Sequence, residues 1–166
     1  LFLYDFTTSK LTPISTRPGI NSGATFLPDS SGLLLTLSQG GNPDIFQVSL
    51  DGKNISPLTN GPRGAMNVEP AISPLGDKIA FSSDRSGKPM IYIMNRNGTN
   101  PVRVTFAGRY NSTPAWSSDG KNLVFAGFDE ITSHFDVFMM NASGQNITRL
   151  TTAKKVRNNK FSNNEE

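Results

Sequence analysis

The apolar positions of the chain fall into short runs separated by turns rich in Asp, Asn and Gly. Residues 70–95, with the sequence PAISPLGDKIAFSSDRSGKPMIYIMN, contain two such runs on either side of a charged turn. Alternation of sides within short runs bounded by turn residues is typical of β-strands. Helical periodicity is absent throughout, so the pattern predicts an all-β protein.

The runs recur with a fixed spacing. An aromatic-centred strand begins at Asp44, Met90 and Asp136, so successive copies start 46 residues apart. Each copy is followed by a turn and then by an apolar residue with threonine, at 58–59, 104–105 and 150–151. Four strands in about 46 residues is the length of one β-propeller blade.

Each unit is predicted to be a blade of four antiparallel strands. The blades are placed at residues 19–62, 63–108 and 109–152, after the end of a preceding blade at 1–18 and before a linker at 153–166. The first strands are predicted at 24–27, 71–73 and 115–117, and the fourth at 55–59, 102–105 and 147–151. A tight turn with Asp and Gly follows each first strand, because Gly accepts the positive φ that a hairpin requires.

Stacking explains why the unit repeats. One four-stranded sheet cannot bury both of its apolar faces, whereas sheets stacked radially bury them against each other. Trp116 is therefore predicted to fill a gap between blades rather than to stack on a ligand. Propellers use about four to eight blades, so we expect this partial β-propeller, with about three full blades and part of a fourth, to be a fragment of a larger ring.

The repeats resemble those of the TolB family. The stretches that carry the resemblance are FLPDSSGLLLTLS, ISPLGDKIAFSSDRSGKPMIYIMNRNGTNPVRVT and WSSDGKNLVFAG…DVFMMNASGQNITRLT. Leu75 stands where the family motif has Asp, Ser118 stands where it has Pro, and GFDEITSHFD lacks the Ser-Asp-Arg element. The resemblance implies a six-bladed propeller in a periplasmic protein of the Tol-Pal envelope system. It also implies that the propeller binds the peptidoglycan-associated lipoprotein Pal at one channel mouth, alongside other Tol proteins, and supports outer-membrane integrity.

Composition narrows the possible partners. The net charge of +3 is concentrated near the C-terminal end, at Lys154, Lys155, Arg157 and Lys160, and we interpret this cluster as a solvated loop. Phosphate binding usually takes more basic groups spread over one face, so nucleic acid is not predicted as a partner. No run of about 18 apolar residues occurs, and no direct membrane insertion is expected.

The sequence contains few residues and motifs of the kinds that enzymes use for catalysis. His134 is the one histidine, and Asp129, Glu130 and Asp136 are its nearest acidic neighbours in sequence. We interpret His134 as a loop residue, and Asp29, Asp77 and Asp119 as hairpin-turn residues. With no cysteine, no Gly-x-Ser-x-Gly and no metal-spaced His pair, we predict no catalytic residue, no metal ligand and no cofactor.

The predicted binding site lies in the segments that link one blade to the next, at 18–23, 63–69, 109–113 and 158–165. These segments are rich in hydrogen-bonding groups with Met and Tyr between them, which suits a protein ligand. The predicted partner-binding residues are Asn21, Ser22, Arg63, Met66, Asn67, Val68, Glu69, Arg109, Tyr110, Asn111, Ser112, Thr113, Asn163 and Asn164. The alternative is that the chain is the substrate-gating propeller domain of a larger serine oligopeptidase or hydrolase.

Overall fold

A computed structural model describes residues 1–38, 41–62, 64–131 and 133–152, and the described residues form strands and turns without a helix. The two-stranded sheet consists of β1 (Phe2–Asp5) and β2 (Lys10–Pro13). The first blade consists of β3 (Asn21–Phe26), β4 (Gly32–Leu37), β5 (Asp44–Ser49) and β6 (Ile55–Pro57). The second blade consists of β7 (Asn67–Ile72), β8 (Lys78–Ser83), β9 (Met90–Asn95) and β10 (Val102–Arg103). The third blade consists of β11 (Asn111–Trp116), β12 (Asn122–Asp129), β13 (His134–Asn141) and β14 (Thr148–Arg149).

Each blade is an antiparallel meander in which the strands pair in chain order. The first strands of successive blades, β3, β7 and β11, pack against one another and form the inner side of the array. The fourth strands lie at the opposite edge of each sheet. The all-β prediction and the four-stranded antiparallel blade are confirmed.

The core lies between the sheets, as radial stacking requires. On β4, Leu33 packs with Leu3 of the two-stranded sheet, whereas Leu34 packs with Ile79 of the second blade. Ala80, the next residue after Ile79 on β8, packs against the third blade. Since successive side chains of a strand point to opposite faces, each central strand contributes to two interfaces. This double burial accounts for the apolar runs at 33–35 of β4 and 79–81 of β8.

The inner strands begin three or four residues earlier than the sequence predicts. Each contains a β-bulge, at which the register shifts between residues 22 and 25, 68 and 71, or 112 and 115. A residue with positive φ lies inside each bulge, namely Gly23, Glu69 and Thr113. The bulge breaks the alternation of sides, so the polar first half of each inner strand was wrongly predicted to be a loop.

The outer strands are shorter than the sequence predicts because a threonine side chain takes over part of the pairing. In each blade the hydroxyl Oγ1 of this threonine accepts a hydrogen bond from a backbone N–H of the third strand. The bonds join Thr59 to Ile45, Thr105 to Ile91 and Thr151 to Val137, each at 2.9 Å. This bond gives a structural role to the recurring apolar-threonine pair.

Trp116 has the structural role that its position in the repeat predicts. Its ring packs into the cluster between the second and third blades. Its indole Nε1–H donates to the carbonyl oxygen of Ala71 at 3.0 Å, which joins two inner strands. Trp116 thus stabilises the contact between neighbouring blades.

The hairpin-turn aspartates also act as predicted. Asp119 Oδ1 accepts hydrogen bonds from the Ser117 hydroxyl at 2.6 Å and from the Lys121 N–H at 3.0 Å. Hydrogen bonds to a carboxylate favour its charged form, so the serine hydroxyl first and the backbone N–H second lower the pKa of Asp119. The pKa values of Asp29 and Asp51 are lowered in the same way, with a serine hydroxyl as the largest cause.

Acid is expected to destabilise the fold through these turns. The pKa of Asp119 is lower in the folded protein than its unfolded value of about 4, so its contribution is complete above that value and is lost as the pH falls through the folded pKa. Asp119→Asn is expected to be less stable than the parent at about pH 7, by a difference that shrinks towards about pH 2. Urea unfolding at a series of pH values measures this, and a difference that stays constant with pH would contradict it.

Candidate binding face at the mouth of the inner strands

One end of the blades carries both the connections between blades and the loops that join second to third strands. In the second blade the Met66 N–H donates to Asp84 Oδ1 at 2.7 Å, which ties the connection to the loop. In the third blade the Phe128 N–H donates to the carbonyl oxygen of Tyr110 at 2.8 Å. We call this end the upper face. The role of Asp84 is not predicted from the sequence, although Asp84 belongs to the recurring Ser-Asp-Arg element, which could have indicated it.

Asn67, one of the predicted contact residues, lies in the interior. Its side chain is fully buried, with 0% exposed. Its Nδ2 donates to Asp44 Oδ1 of the first blade at 2.8 Å, and its Oδ1 accepts from Arg85 Nη2 at 2.6 Å. The N–H of Asn67 donates to the carbonyl oxygen of Pro43 at 2.8 Å. Asn67 therefore joins the first and second blades and leaves no polar group at the surface.

The other two inner-strand asparagines also bond to the protein itself. Asn111 is only 4% exposed, and its Nδ2 donates to the Ala107 carbonyl at 2.8 Å and to Met90 Sδ at 3.1 Å. Asn21 is half-buried, and its Nδ2 donates to the carbonyl oxygen of Arg17 at 2.8 Å. Ser112, beside Asn111, is buried as well. These side chains support the upper face from below.

Glu69 links the bulges of neighbouring inner strands. Its Oε2 accepts from the Ser82 hydroxyl at 2.9 Å and from the Thr113 N–H of the third blade at 2.7 Å. Its own N–H donates to Thr36 Oγ1 of the first blade at 3.2 Å. The carboxylate and backbone of this one residue thus connect three blades, and the half-buried Val68 lies beside it.

The exposed members of the predicted set lie along the rim of the upper face. Met66 and Tyr110 are each 41% exposed. The Tyr110 ring meets the ring of Phe135 edge to face, with centroids 5.6 Å apart. Arg109 pairs with Glu130, Nε to Oε1, at 3.1 Å in an exposed ion pair. Ser22 and Thr113 are exposed too, whereas Arg63, Asn163 and Asn164 lie outside the described residues.

His134 lies in a strand and not in the loop that the sequence predicts. It lies at the start of β13, opposite Asp129 in the pairing of β12 with β13. No three His, Asp or Glu residues within the described ranges are placed to hold a metal ion. In the same part of the chain, we find no helix with the length and apolar character needed to cross a membrane.

Radially stacked, four-stranded meanders with their inner strands side by side define a β-propeller. The chain belongs to the TolB β-propeller domain family, whose model matches residues 1–166. This match and the observed blades confirm the family resemblance of the repeats.

Known proteins of the Tol-Pal system are similar over nearly the whole chain. The Tol-Pal system protein TolB of Francisella tularensis subsp. mediasiatica is 31% identical over 158 residues, which cover 93% of this chain and 36% of that relative. The crystal structure of TolB from Acinetobacter baumannii superimposes with a TM-score of 0.78 and 29% identity, over 90% of this chain and 37% of that one. The chain thus spans about a third of the length of these relatives.

Peptidases share the fold at lower identity. A puromycin-hydrolysing peptidase of Mycobacterium tuberculosis superimposes with a TM-score of 0.61 and 15% identity, over 79% of this chain and 21% of that one. At this identity the likeness is one of fold alone.

Proposed function

We propose that this chain is part of a non-catalytic, periplasmic propeller of the Tol-Pal system that binds a Pal-like lipoprotein on its upper face and supports outer-membrane integrity. The observation that carries the proposal is the family match over residues 1–166, together with 31% identity to a Tol-Pal system TolB. Other Tol proteins are proposed as further partners for the same reason.

The rim of the upper face supports a protein as the ligand. Met66 and Tyr110 supply apolar and aromatic surface, and Arg109 supplies a cation beside them. Aromatic residues, Met and Arg are enriched at protein interfaces, where a few anchors carry most of the binding energy. Ser22 and Thr113 are proposed to add hydrogen bonds. The buried asparagines and Glu69 are proposed to hold the rim in shape.

The test is a calorimetric titration of the protein, as its own gene encodes it, with the soluble domain of the Pal-like lipoprotein from the same organism. Tyr110→Ala is expected to weaken binding by about tenfold or more, since a truncated anchor costs more than about 1.4 kcal/mol. Leu75→Ala is the matched control, because Leu75 is 86% exposed in a turn at the opposite end of the second blade. Absence of binding heat with the parent protein would refute the proposal.

The gating propeller of a larger hydrolase is the second candidate, and the fold that the chain shares with a peptidase favours it. Reading the gene on both sides of this chain distinguishes the two candidates. A catalytic segment with a Gly-x-Ser-x-Gly nucleophile elbow would favour the hydrolase, and further propeller blades without such a segment would favour the scaffold.

A further inference from the structure

An arginine side chain fills the space between blades at the upper end of the second blade. The guanidinium of Arg85 lies over two rings, with its Cζ 5.2 Å from the centroid of Phe81 and 5.0 Å from that of Tyr92. Its Nη2 donates to Oδ1 of the buried Asn67 at 2.6 Å. Its Nε donates to Ser83 Oγ at 3.0 Å. Two ring contacts and two hydrogen bonds thus hold a planar cation in this place.

The third blade repeats the two rings and the amide of this frame, and has Gly127 in the place of Ser83. Phe125 and Phe138 are cross-strand partners, as Phe81 and Tyr92 are in the second blade. Their centroids are 5.7 Å apart at an interplanar angle of 19°. Asn111 begins the inner strand of the third blade, as Asn67 begins that of the second.

The arginine has no counterpart in the third blade. The end of β12 and the loop after it carry Asp129, Glu130 and Ile131 in place of the Ser-Asp-Arg element. An open cavity of about 390 Å³ occupies this space, and the two phenylalanines and Asn111 line it. Ile131, also in the lining, is 94% exposed, so the cavity is reached from solvent.

The amide oxygen of Asn111 is an acceptor without a donor in this cavity. Both N–H groups of the side chain are used, on the Ala107 carbonyl and on Met90 Sδ. Among the described residues, none donates a hydrogen bond to Asn111 Oδ1, although only 4% of Asn111 is exposed. The oxygen lies 2.9 Å from the point that a Cβ on Gly127 would take, and Gly127 lines the same cavity. Because the cavity is open to solvent, this oxygen is available to a donor that a ligand brings in the place of water.

We propose that the cavity between the second and third blades binds the guanidinium of an arginine side chain presented by another protein. The guanidinium lies on the rings of Phe125 and Phe138 and donates to Asn111 Oδ1. It takes the place that Arg85 holds one blade earlier.

Shape and hydration favour arginine over other cations. Asp129 and Glu130 line the cavity, but Asp129 is paired with Arg149 at 2.6 Å and Glu130 with Arg109 at 3.1 Å, so stacking on the rings, rather than unpaired charge, selects the ligand. A guanidinium is planar, stacks on aromatic faces and is weakly hydrated, whereas an ammonium group is a compact, strongly hydrated charge. The site therefore discriminates between arginine and lysine of equal charge.

Titration of the protein, as its gene encodes it, with N-acetyl-arginine amide tests the site without any partner protein. The side-chain amide resonances of Asn111 are expected to shift in a saturable way in the millimolar range, as contact with two rings and one hydrogen bond, both reached from solvent, implies. N-acetyl-lysine amide is the matched probe and is expected to bind several-fold more weakly. Equal responses to the two probes, or no saturable shift at Asn111, would overturn the proposal.

Substitution at the lip of the cavity locates the site. In Ile131→Arg the new side chain is expected to occupy the cavity from within the chain and to abolish binding of the arginine probe. Ile131→Gln is the control and is expected to retain binding, because Ile131 is almost fully exposed. Undiminished probe binding by Ile131→Arg would overturn the assignment to this cavity. The probe contains no lipoprotein, so the arginine site can be refuted while the proposed function stands. Equally, the lipoprotein titration can fail while the arginine probe still binds.

Discussion

Alanine in place of Gly98 is expected to lower the free energy of unfolding by about 4 kcal/mol, through backbone strain and overpacking together. Gly98 has a φ of +84°, and a Cβ at this position would lie 3.0 Å from the backbone carbonyl carbon of Leu58 and closer still to its oxygen. Leu58 belongs to the preceding blade, and its backbone cannot give way as a flexible side chain would. Urea unfolding of the protein, monitored by circular dichroism, measures the loss.

Gly87→Ala is the matched control for this substitution. Gly87 lies in the same blade with a φ of +92°, but a Cβ there would meet nothing within 4 Å. It is expected to cost about 1 kcal/mol, from backbone strain alone. The difference between the two variants therefore reports the close approach of neighbouring blades, and equal losses would contradict it.

The glycine of this turn shows what the sequence reveals and what it hides. Its recurrence at 52, 98 and 144 is visible in the repeats and predicts a turn with positive φ. The second constraint is invisible there, since each of these glycines faces a backbone carbonyl of the preceding blade, at Ile14, Leu58 and Val104. Contacts between blades can be predicted only when the stacked arrangement of the blades is known.

The central strands of each blade were predictable and the edge strands were less so. In the first two blades, the second and third strands contain apolar runs whose two faces are covered by neighbouring sheets, and this leaves a strong pattern. The inner strands carry a bulge with a left-handed residue, such as Glu69, which breaks the alternation. The outer strands end where a threonine hydroxyl replaces a backbone partner, as Thr105 does for Ile91. The pattern of polar and apolar side chains does not reveal these bulges or these threonine hydrogen bonds.

The sequence predicted which segments connect the blades, but not what the individual residues of these segments do in the fold. Polar residues between strands were interpreted as surface groups, which fits Arg109 and Tyr110. Asn67 and Asn111 have the same polarity but are buried, because their amides bond to neighbouring blades. A sequence records that an amide is present and does not record where its partners lie. Trp116 was predicted correctly, since its size favours burial whatever its partners.

Asn67→Ala is expected to lower the free energy of unfolding by about 3 kcal/mol, because it empties a fully buried position and removes one hydrogen bond from each of two half-buried charged side chains. The substitution removes the donor to Asp44 and the acceptor for Arg85 in one step. Asn21→Ala is the control at the same place in the preceding repeat. Asn21 is only half-buried, and its side-chain partners, the Arg17 carbonyl and the Ser15 hydroxyl, are uncharged, so a loss of about 1 kcal/mol is expected. Chemical denaturation of both variants measures these losses.

The same variant separates support of the upper face from direct contact with a partner. At a temperature where the variant is fully folded, Asn67→Ala is expected to weaken binding of the Pal-like lipoprotein much less than Tyr110→Ala does, because Asn67 exposes no atom to a partner. If Asn67→Ala lowers the free energy of binding by more than it lowers the free energy of unfolding, Asn67 contacts the partner directly. Such a contact requires the inner strand to open at Asn67. Since that opening breaks the bonds to Asp44 and Arg85, binding would then weaken further in any variant that strengthens the contact between the first two blades.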